Sequence, residues 1–180
     1  MTDARPLIGI GLRAQKGGAV IVCLGLDRGE PKMLLSTFLV IEPEPYRTAA
    51  SLPRDEAVAL VAAGRQRQDQ IAAAELQAIL ELVGKPAVAG LLVNRAGWIT
   101  DLLSYSREWA EHIPVAENLG LRDALRFACR ENGIEIAELD EKSLPEIDAR
   151  LNGLGAGLKP WRKEQKLACV AAWTAIAQRL

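Results

Sequence analysis

The sequence predicts a single α/β domain over residues 1–180, with a five-stranded mixed sheet, helices on both faces and the element order β-β-β-α-β-α-β-α. First, three apolar runs follow one another within the first 41 residues. Second, strand-like apolar runs and helix-like stretches alternate in the rest of the chain. Third, hydrophobic residues make up 49% of the chain and aromatic residues only 4%, as expected for an α/β protein with Ala-rich helices.

The first three strands are predicted at residues 7–12, 19–26 and 32–41. The short segments between them leave no room for a helix, so we expect an antiparallel meander. The second run, AVIVCLGL, is apolar on both faces, which indicates a central strand covered on both sides. Two further strands are predicted at 87–93 and 134–139, each between helices.

The helices are predicted from apolar periodicity and from their start and stop signals. Residues 42–53 contain too many prolines to form a helix, so the first helix begins near Ser51 and Pro53 and ends at Gly84. Its polar middle, residues 64–70, is expected to be solvated, frayed or in contact with a partner. Further helices are predicted at 99–112, 118–132, near 143–151 and at 162–180, with a Gly-rich loop at 152–160.

Charge and apolar-run length exclude several classes of protein. The net charge is −1, so a nucleic-acid contact would need a local basic patch rather than a global field. No apolar run approaches the roughly 18 residues of a membrane span, and the first ten residues lack a signal-peptide core. We therefore expect a cytoplasmic protein without a membrane partner.

The three cysteines are Cys23, Cys129 and Cys169, far apart and each inside an apolar run. No Cys or His spacing typical of a zinc site is present. The sequence predicts buried free thiols in a reducing compartment.

The stretch LIGIGLRAQKGGAVIVCL, residues 7–24, fits the Gly-X-Gly-X-X-Ala pattern of a dinucleotide loop at Gly9 to Ala14. That motif requires a helix to begin at its second glycine, so that the helix N-terminus meets the pyrophosphate. Here a second apolar run follows instead, and a strand-turn-strand is the better interpretation. Arg13 and Lys16 are then expected to be exposed at the hairpin tip, where they would be solvated or would contact nucleic acid.

This element order resembles the ribonuclease H-like fold. Residues 7–24 resemble the first hairpin of Holliday junction resolvases of the RuvC kind, a bacterial group, and VAENLGLRDALRFACRENGIEIAEL, 115–139, is similar to their helix, glycine and strand segment. EQKLACVAAWTA, 164–175, resembles the last helix of these enzymes and of predicted ribonuclease H-like nucleases. The match covers most of the chain as a pattern, without any single specific motif.

The resemblance implies two-metal phosphodiester hydrolysis, with carboxylates from the first strand, the fourth strand and the last helix holding two Mg²⁺ or Mn²⁺ ions. The first-strand Asp position falls on Gly11, and the position that ends the fourth strand falls on Asn94. The paired acids of the last helix fall on Glu164 and Leu167. Residues 7–26 contain no acid at all. One carboxylate and one amide should not hold two divalent ions, so the acidic site is expected to be degenerate.

Seven other polar residues have no role in the expected acidic site. The carboxylates Asp27, Glu30, Asp101, Glu108, Glu117 and Asp123 are expected to be solvated on the surface, with a relocated metal site as the alternative. The single histidine, His112, is expected to favour a helix dipole at a helix end rather than to act in catalysis.

Two groups near the ends of predicted elements are candidates for nucleic-acid contact. Arg95 and Trp98 follow the fourth strand, where ligands bind in open sheets and where they could hold a base or a phosphate, although a packing role is the first expectation for them. The second group is a basic-aromatic cluster before the last helix, which suits a phosphate backbone or a partner surface: Lys159, Trp161, Arg162 and Lys163. The alternative for this cluster is an anchor for the helix start.

The sequence therefore predicts a catalytically degenerate domain that binds DNA or RNA or acts as an interaction module, and that could form a homodimer as resolvases do. Two alternatives stay open. One is an active metal-dependent nuclease in which Glu164, Asn94 and an additional carboxylate rebuild the site. The other is a protein scaffolding domain that does not bind nucleic acid.

Overall fold

A computed structural model describes residues 7–94 and 96–180 of the chain. Its five strands form one sheet in the spatial order β3-β2-β1-β4-β5. β3, β2 and β1 pair antiparallel, whereas β1, β4 and β5 pair parallel. The strands are β1 Ile8–Gln15, β2 Gly18–Asp27, β3 Glu30–Val40, β4 Ala87–Val93 and β5 Glu135–Asp140. The predicted five-stranded mixed sheet is confirmed.

Helices cover both faces of the sheet, as predicted. The helices are α1 Pro45–Ala49, α2 Arg54–Val83, α3 Leu102–Glu108, α4 His112–Glu131, α5 Ala149–Gly153 and α6 Lys163–Ala177. α2 and α4 pack on one face and α6 on the other, each over its own hydrophobic cluster. Within the described ranges, no helix combines the length and the apolar character that a membrane span requires.

α6 lies unusually close to the sheet because small residues meet at the contact. A Cβ atom on Gly11 would lie 1.7 Å from the carbonyl oxygen of Ala168, and one on Gly90 would lie 2.5 Å from that of Ala171. Real Cβ atoms do not approach other atoms to such distances, so only glycine fits at these two strand positions. The small alanine side chains of α6 and the glycines of β1 and β4 therefore together allow the helix to pack closely on the sheet.

The connections differ from the prediction in three places. Residues 42–53 contain the short helix α1, because Pro45 occupies a first turn, where proline is tolerated. The helix predicted at 99–112 is confined to α3 and is capped by Asp101, whose side chain accepts from the amide of Ser104. α4 begins at His112 rather than at 118, since Pro114 also lies in a first turn and continues the helix.

The polar middle of α2 is helical rather than frayed and is solvated only on one side, because Gln66, Arg67 and Gln70 are exposed whereas Gly64 and Gln68 are buried. Arg65 donates to the Tyr46 hydroxyl at 2.7 Å and to the Asp123 carboxylate at 2.8 Å. Gln68 is buried and donates to the carbonyl of Pro43 at 2.7 Å. These polar side chains join α2 to α1 and α4, which the sequence pattern alone does not indicate.

All three cysteines are buried free thiols, as predicted. Burial raises the pKa of Cys23, Cys129 and Cys169 to about 12 in each case. Because the thiolate is the reactive form, these side chains act as small hydrophobic groups.

Candidate functional site

The carboxyl edge of the parallel strands brings together the positions that the resemblance singled out. α6 runs antiparallel to β1, because Ile176 packs at Gly9 and Ala168 at Gly11. The start of α6, with Glu164 in its first turn, therefore lies at the edge where β1 and β4 end. Asn94 follows β4 directly at the same edge. The topology therefore assigns Glu164 and Asn94 to the same edge, while Gly11 lies inside β1.

The side chains at this edge do not fit a pair of divalent ions. The space that a carboxylate on residue 11 would need is filled by the backbone of Ala168. The Asn94 side-chain oxygen accepts a hydrogen bond of 2.7 Å from Arg122, so a guanidinium cation already holds it. Across residues 7–94 and 96–180, no group of three or more His, Cys, Asp or Glu side chains could hold a metal ion. Hard divalent cations require several oxygen ligands, mostly charged ones.

A cavity of about 600 Å³ opens at the same edge, beside the N-terminal half of α4. It is bounded by the ends of β1 and β4, by α1 and by the 3₁₀ turn Glu141–Ser143 that follows β5. Its lining comprises Arg13, Ala14, Gln15, Lys16, Glu44, Arg47, Asn94, Pro114, Val115, Glu117, Asn118, Leu119, Leu121, Arg122, Glu141 and Lys142. Ligand cavities in proteins fall in this range of size.

Glu117 is a buried side chain of this cavity, only 6% exposed, so the expectation of a solvated carboxylate is wrong. One of its oxygens accepts from the backbone amide of Arg47 at 2.9 Å, at the start of α1. Burial raises the pKa of the Glu117 carboxyl to about 7, against the opposing effect of the amide hydrogen bonds. The sequence does hold a signal: Glu117 precedes Leu121 by four residues and Leu125 by eight, on the stripe that faces the core.

Arg122 is the second buried charge of the cavity, at 7% exposed. Burial, followed by repulsion from Arg126 and Arg13, lowers the pKa of its guanidinium from the ordinary value. Its hydrogen bond to Asn94 links α4 to the end of β4. The sequence interpretation did not single out this residue, because an arginine on a helix is usually exposed.

Arg13 is not at an exposed hairpin tip. β1 continues to Gln15, and the Arg13 guanidinium donates to both oxygens of Glu141 at 3.2 and 3.1 Å. Its side chain is only 23% exposed. Lys16 does lie at the tip and is exposed, and it also lines the cavity. Arg13 therefore joins β1 to the end of β5, whereas Lys16 is exposed to solvent.

Trp98 is 71% exposed, so it does not pack in the core, contrary to expectation. Its ring meets Tyr105 edge to face at 5.6 Å between centroids, and Tyr105 stacks on His112 at 3.9 Å. His112 is the first residue of α4 and does not favour a helix dipole at a carboxyl end, contrary to expectation. Arg95, predicted to act with Trp98, lies outside the described residues.

The basic-aromatic cluster before α6 divides into two parts. Its tryptophan, Trp161, lies so close to Gly155 that a Cβ atom there would meet the indole ring, and it donates to the Asn152 side chain at 3.1 Å. Its cations remain exposed at the start of α6: Lys159, Arg162 and Lys163. The tryptophan therefore serves as the anchor that was the alternative, while the three cations are available to a partner.

Comparisons with known proteins agree with this geometry at the level of the fold. No protein-family profile matches the chain, and no curated protein sequence matches it either. Among solved structures, the chain is similar to T. thermophilus RuvC in complex with a Holliday junction substrate, with a TM-score of 0.60 and 12% identity. The match covers 96% of this chain and 95% of that one. The chain therefore has the mixed five-stranded, ribonuclease H-like fold that RuvC also has.

Proposed function

We propose that this chain is a ribonuclease H-like domain without nuclease activity that binds DNA or RNA at the carboxyl edge of its parallel strands. The observation that carries the proposal is the contact between Gly11 and Ala168, where helix backbone takes the space of a first-strand carboxylate. The hydrogen bond from Arg122 to Asn94 supports it, because it places a guanidinium cation beside the oxygen that a metal ion would need. Both features hold whatever the register of the acids in the last helix.

The surface of this edge supports nucleic acid as the partner. Lys16 and Trp98 are exposed there, and the exposed cations Lys159, Arg162 and Lys163 lie at the start of α6. An exposed indole stacks on unpaired bases, and neighbouring cations track the phosphates. The structural neighbour RuvC is described in complex with a Holliday junction substrate. Because the net charge of the chain is only −1, binding is expected to be local, and because cations contact phosphates there it is expected to weaken with salt.

Nuclease assays test the part of the proposal that denies nuclease activity to the domain. The protein is incubated with junction, duplex and single-stranded DNA and with RNA, in the presence of Mg²⁺ or Mn²⁺. We expect no cleavage above that of a buffer control. Metal-dependent cleavage that disappears in the Glu164→Ala variant would instead establish the active nuclease with a rebuilt site.

The Trp98→Ala substitution is expected to weaken binding of a single-stranded oligonucleotide about tenfold, because stacking of one base contributes roughly 1–3 kcal/mol. Trp98→Phe keeps an aromatic face and is expected to retain most of the affinity. Fluorescence anisotropy with a labelled oligonucleotide, at low and at physiological salt, measures both. Equal affinity of Trp98→Ala and the unchanged protein would contradict the assignment of Trp98.

A protein-interaction role is the second candidate, favoured by the edge strand β3. This strand has no neighbour on one side within the sheet, and it exposes Phe38 and Val40. Such an edge can pair with a second copy of the chain or with another protein. Light scattering measures whether a homodimer forms, and co-purification from a nuclease-treated lysate detects partners that remain without nucleic acid.

A further inference from the structure

The cavity beside α4 contains two charged side chains whose hydrogen bonding is incomplete. In the part of the chain that the structure describes, four buried side-chain atoms have no hydrogen-bond partner. Two of the four belong to residues that line this cavity: Oε2 of Glu117 and Nε of Arg122. Buried polar atoms without a partner are rare in folded proteins, and a ligand or ordered water commonly supplies what is missing. Because Glu117 and Arg122 both line this cavity, it is a place where polar ligand groups could be bound.

The charges on the cavity wall favour an anion. Two of its five cations are already paired, Arg13 with Glu141 at 3.1 Å and Arg47 with Glu44 at 2.8 Å. The cations that remain are Arg122, Lys16 and Lys142, and the acid that remains is Glu117. Because the Glu117 carboxyl has a pKa of about 7, it offsets these cations only in part at neutral pH. The wall is therefore positive, although the whole chain is slightly negative.

The rest of the wall is apolar in part, and it also includes the amide side chains of Gln15, Asn94 and Asn118. Its apolar part is formed by Pro114, Val115, Leu119 and Leu121 of α4 together with Ala14 of β1. Such a surface suits a flat ring system rather than a bare inorganic ion. Glu117 adds a hydrogen-bond acceptor at this apolar wall, and the exposed Lys16 and Lys142 add positive charge at the rim. A ligand that matches all three parts carries a phosphate, a flat ring and an N–H donor.

We propose that this cavity binds one nucleotide unit, with its phosphate at Lys16 and Lys142, its base against the apolar wall of α4 and a base N–H donating to Glu117. The same chemistry is offered by a free mononucleotide and by an unstacked nucleotide of a single strand. If the nucleotide belongs to a single strand, the inference rests on the proposed function; if it is a free mononucleotide, it does not.

Calorimetry on the full chain tests the inference with the four nucleoside 5′-monophosphates, using inorganic phosphate and ribose 5-phosphate as references. We expect at least one mononucleotide to bind about tenfold more tightly than ribose 5-phosphate, since contacts of a base contribute roughly 1–3 kcal/mol. Equal binding of the mononucleotides and ribose 5-phosphate would overturn the base subsite. Absence of mononucleotide binding, together with strand binding that Glu117→Gln leaves unchanged, would overturn the whole inference.

Glu117→Gln is the main variant, because it keeps the shape of the side chain and an oxygen for the Arg47 amide. It places an amide donor where the carboxylate oxygen accepted, and we expect about tenfold weaker nucleotide binding. Glu131→Gln, an exposed glutamate at the end of the same helix, is the matched control and should leave affinity unchanged. Lys142→Ala, at an exposed position, is expected to weaken both mononucleotides and inorganic phosphate. Equal loss in Glu131→Gln would contradict the proposal.

The failure of this inference can be told apart from that of the proposed function. If mononucleotides bind and depend on Glu117, but no single strand binds, the cavity is a free-nucleotide site and the nucleic-acid function is wrong. If a single strand binds through Trp98 while mononucleotides do not bind and Glu117→Gln has no effect, the nucleic-acid function stands and the cavity assignment is wrong. If a mononucleotide displaces the strand in a Glu117-dependent way, both are supported.

Discussion

The Gly11→Asp substitution is expected to unfold the domain rather than to restore a metal site. A Cβ atom at this position would lie 1.7 Å from the carbonyl oxygen of Ala168 and 2.6 Å from its carbonyl carbon. These are helix backbone atoms, so no side-chain rotation relieves the clash, and α6 would have to leave the sheet. Because overpacking by side chains alone costs about 1–3 kcal/mol, we expect even Gly11→Ala to lose at least about 3 kcal/mol. Urea denaturation followed by circular dichroism measures the loss.

Gly153→Ala is the matched control for this prediction. Nothing lies within 4 Å of a Cβ atom at Gly153, at the end of α5. Its free energy of unfolding should stay within about 1 kcal/mol of the unchanged protein. A folded Gly11→Asp protein that gains metal-dependent nuclease activity would show that α6 can move away and that the site is only masked.

Glu117 is expected to make the protein less stable as pH rises from about 4.5 to about 7. Burial raises the pKa of the folded carboxyl from its ordinary value of 4.5 to about 7, and Glu44 adds to this while the Arg47 amide and charge oppose it. Between these pH values the folded state holds a proton that the unfolded chain has lost. The free energy of unfolding therefore falls through this window, by about 3 kcal/mol, and changes no further above it.

Glu117→Gln removes this ionisation and should be more stable than the unchanged protein at pH 8 but not at pH 4.5. Urea denaturation at several pH values measures the difference between the two curves. Asp69, whose pKa burial also raises, keeps its own contribution in both proteins and cancels in that difference. Parallel curves for the two proteins would show that Glu117 is ionised without cost in the folded state.

Local patterns were sufficient for most of the secondary structure. The predicted strand at 87–93 agrees with β4 at both ends, and the meander of the first three strands is confirmed. The errors in the helix boundaries lie at prolines, because a proline can either break a helix or lie in its first turn. Pro45 and Pro114 each lie in a first helical turn, which a helix tolerates because the missing amide would have no partner there. A single sequence does not separate these two roles of proline.

The candidate site was predicted less well than the fold, for a related reason. Exposure of Trp98 and burial of Glu117 both differ from expectation, since each depends on which element packs nearby. Arg13 was expected to be free at the hairpin tip, yet its partner Glu141 is 128 positions away. Side-chain pairs over such separations produce no periodic pattern in the sequence, whereas the apolar residues on the buried face of one helix do.

By itself, the sequence determined the order of the elements and the lack of any acid in residues 7–26, because apolar periodicity and residue identity are local properties. Only the tertiary structure decided that α6 closes on Gly11 and that Glu117 is buried against the Arg47 amide, 70 positions away. The physical reason is that the burial of a charge depends on the atoms that surround it in space. Those atoms come from α1, α4 and the ends of three strands, which the chain brings together only when it folds.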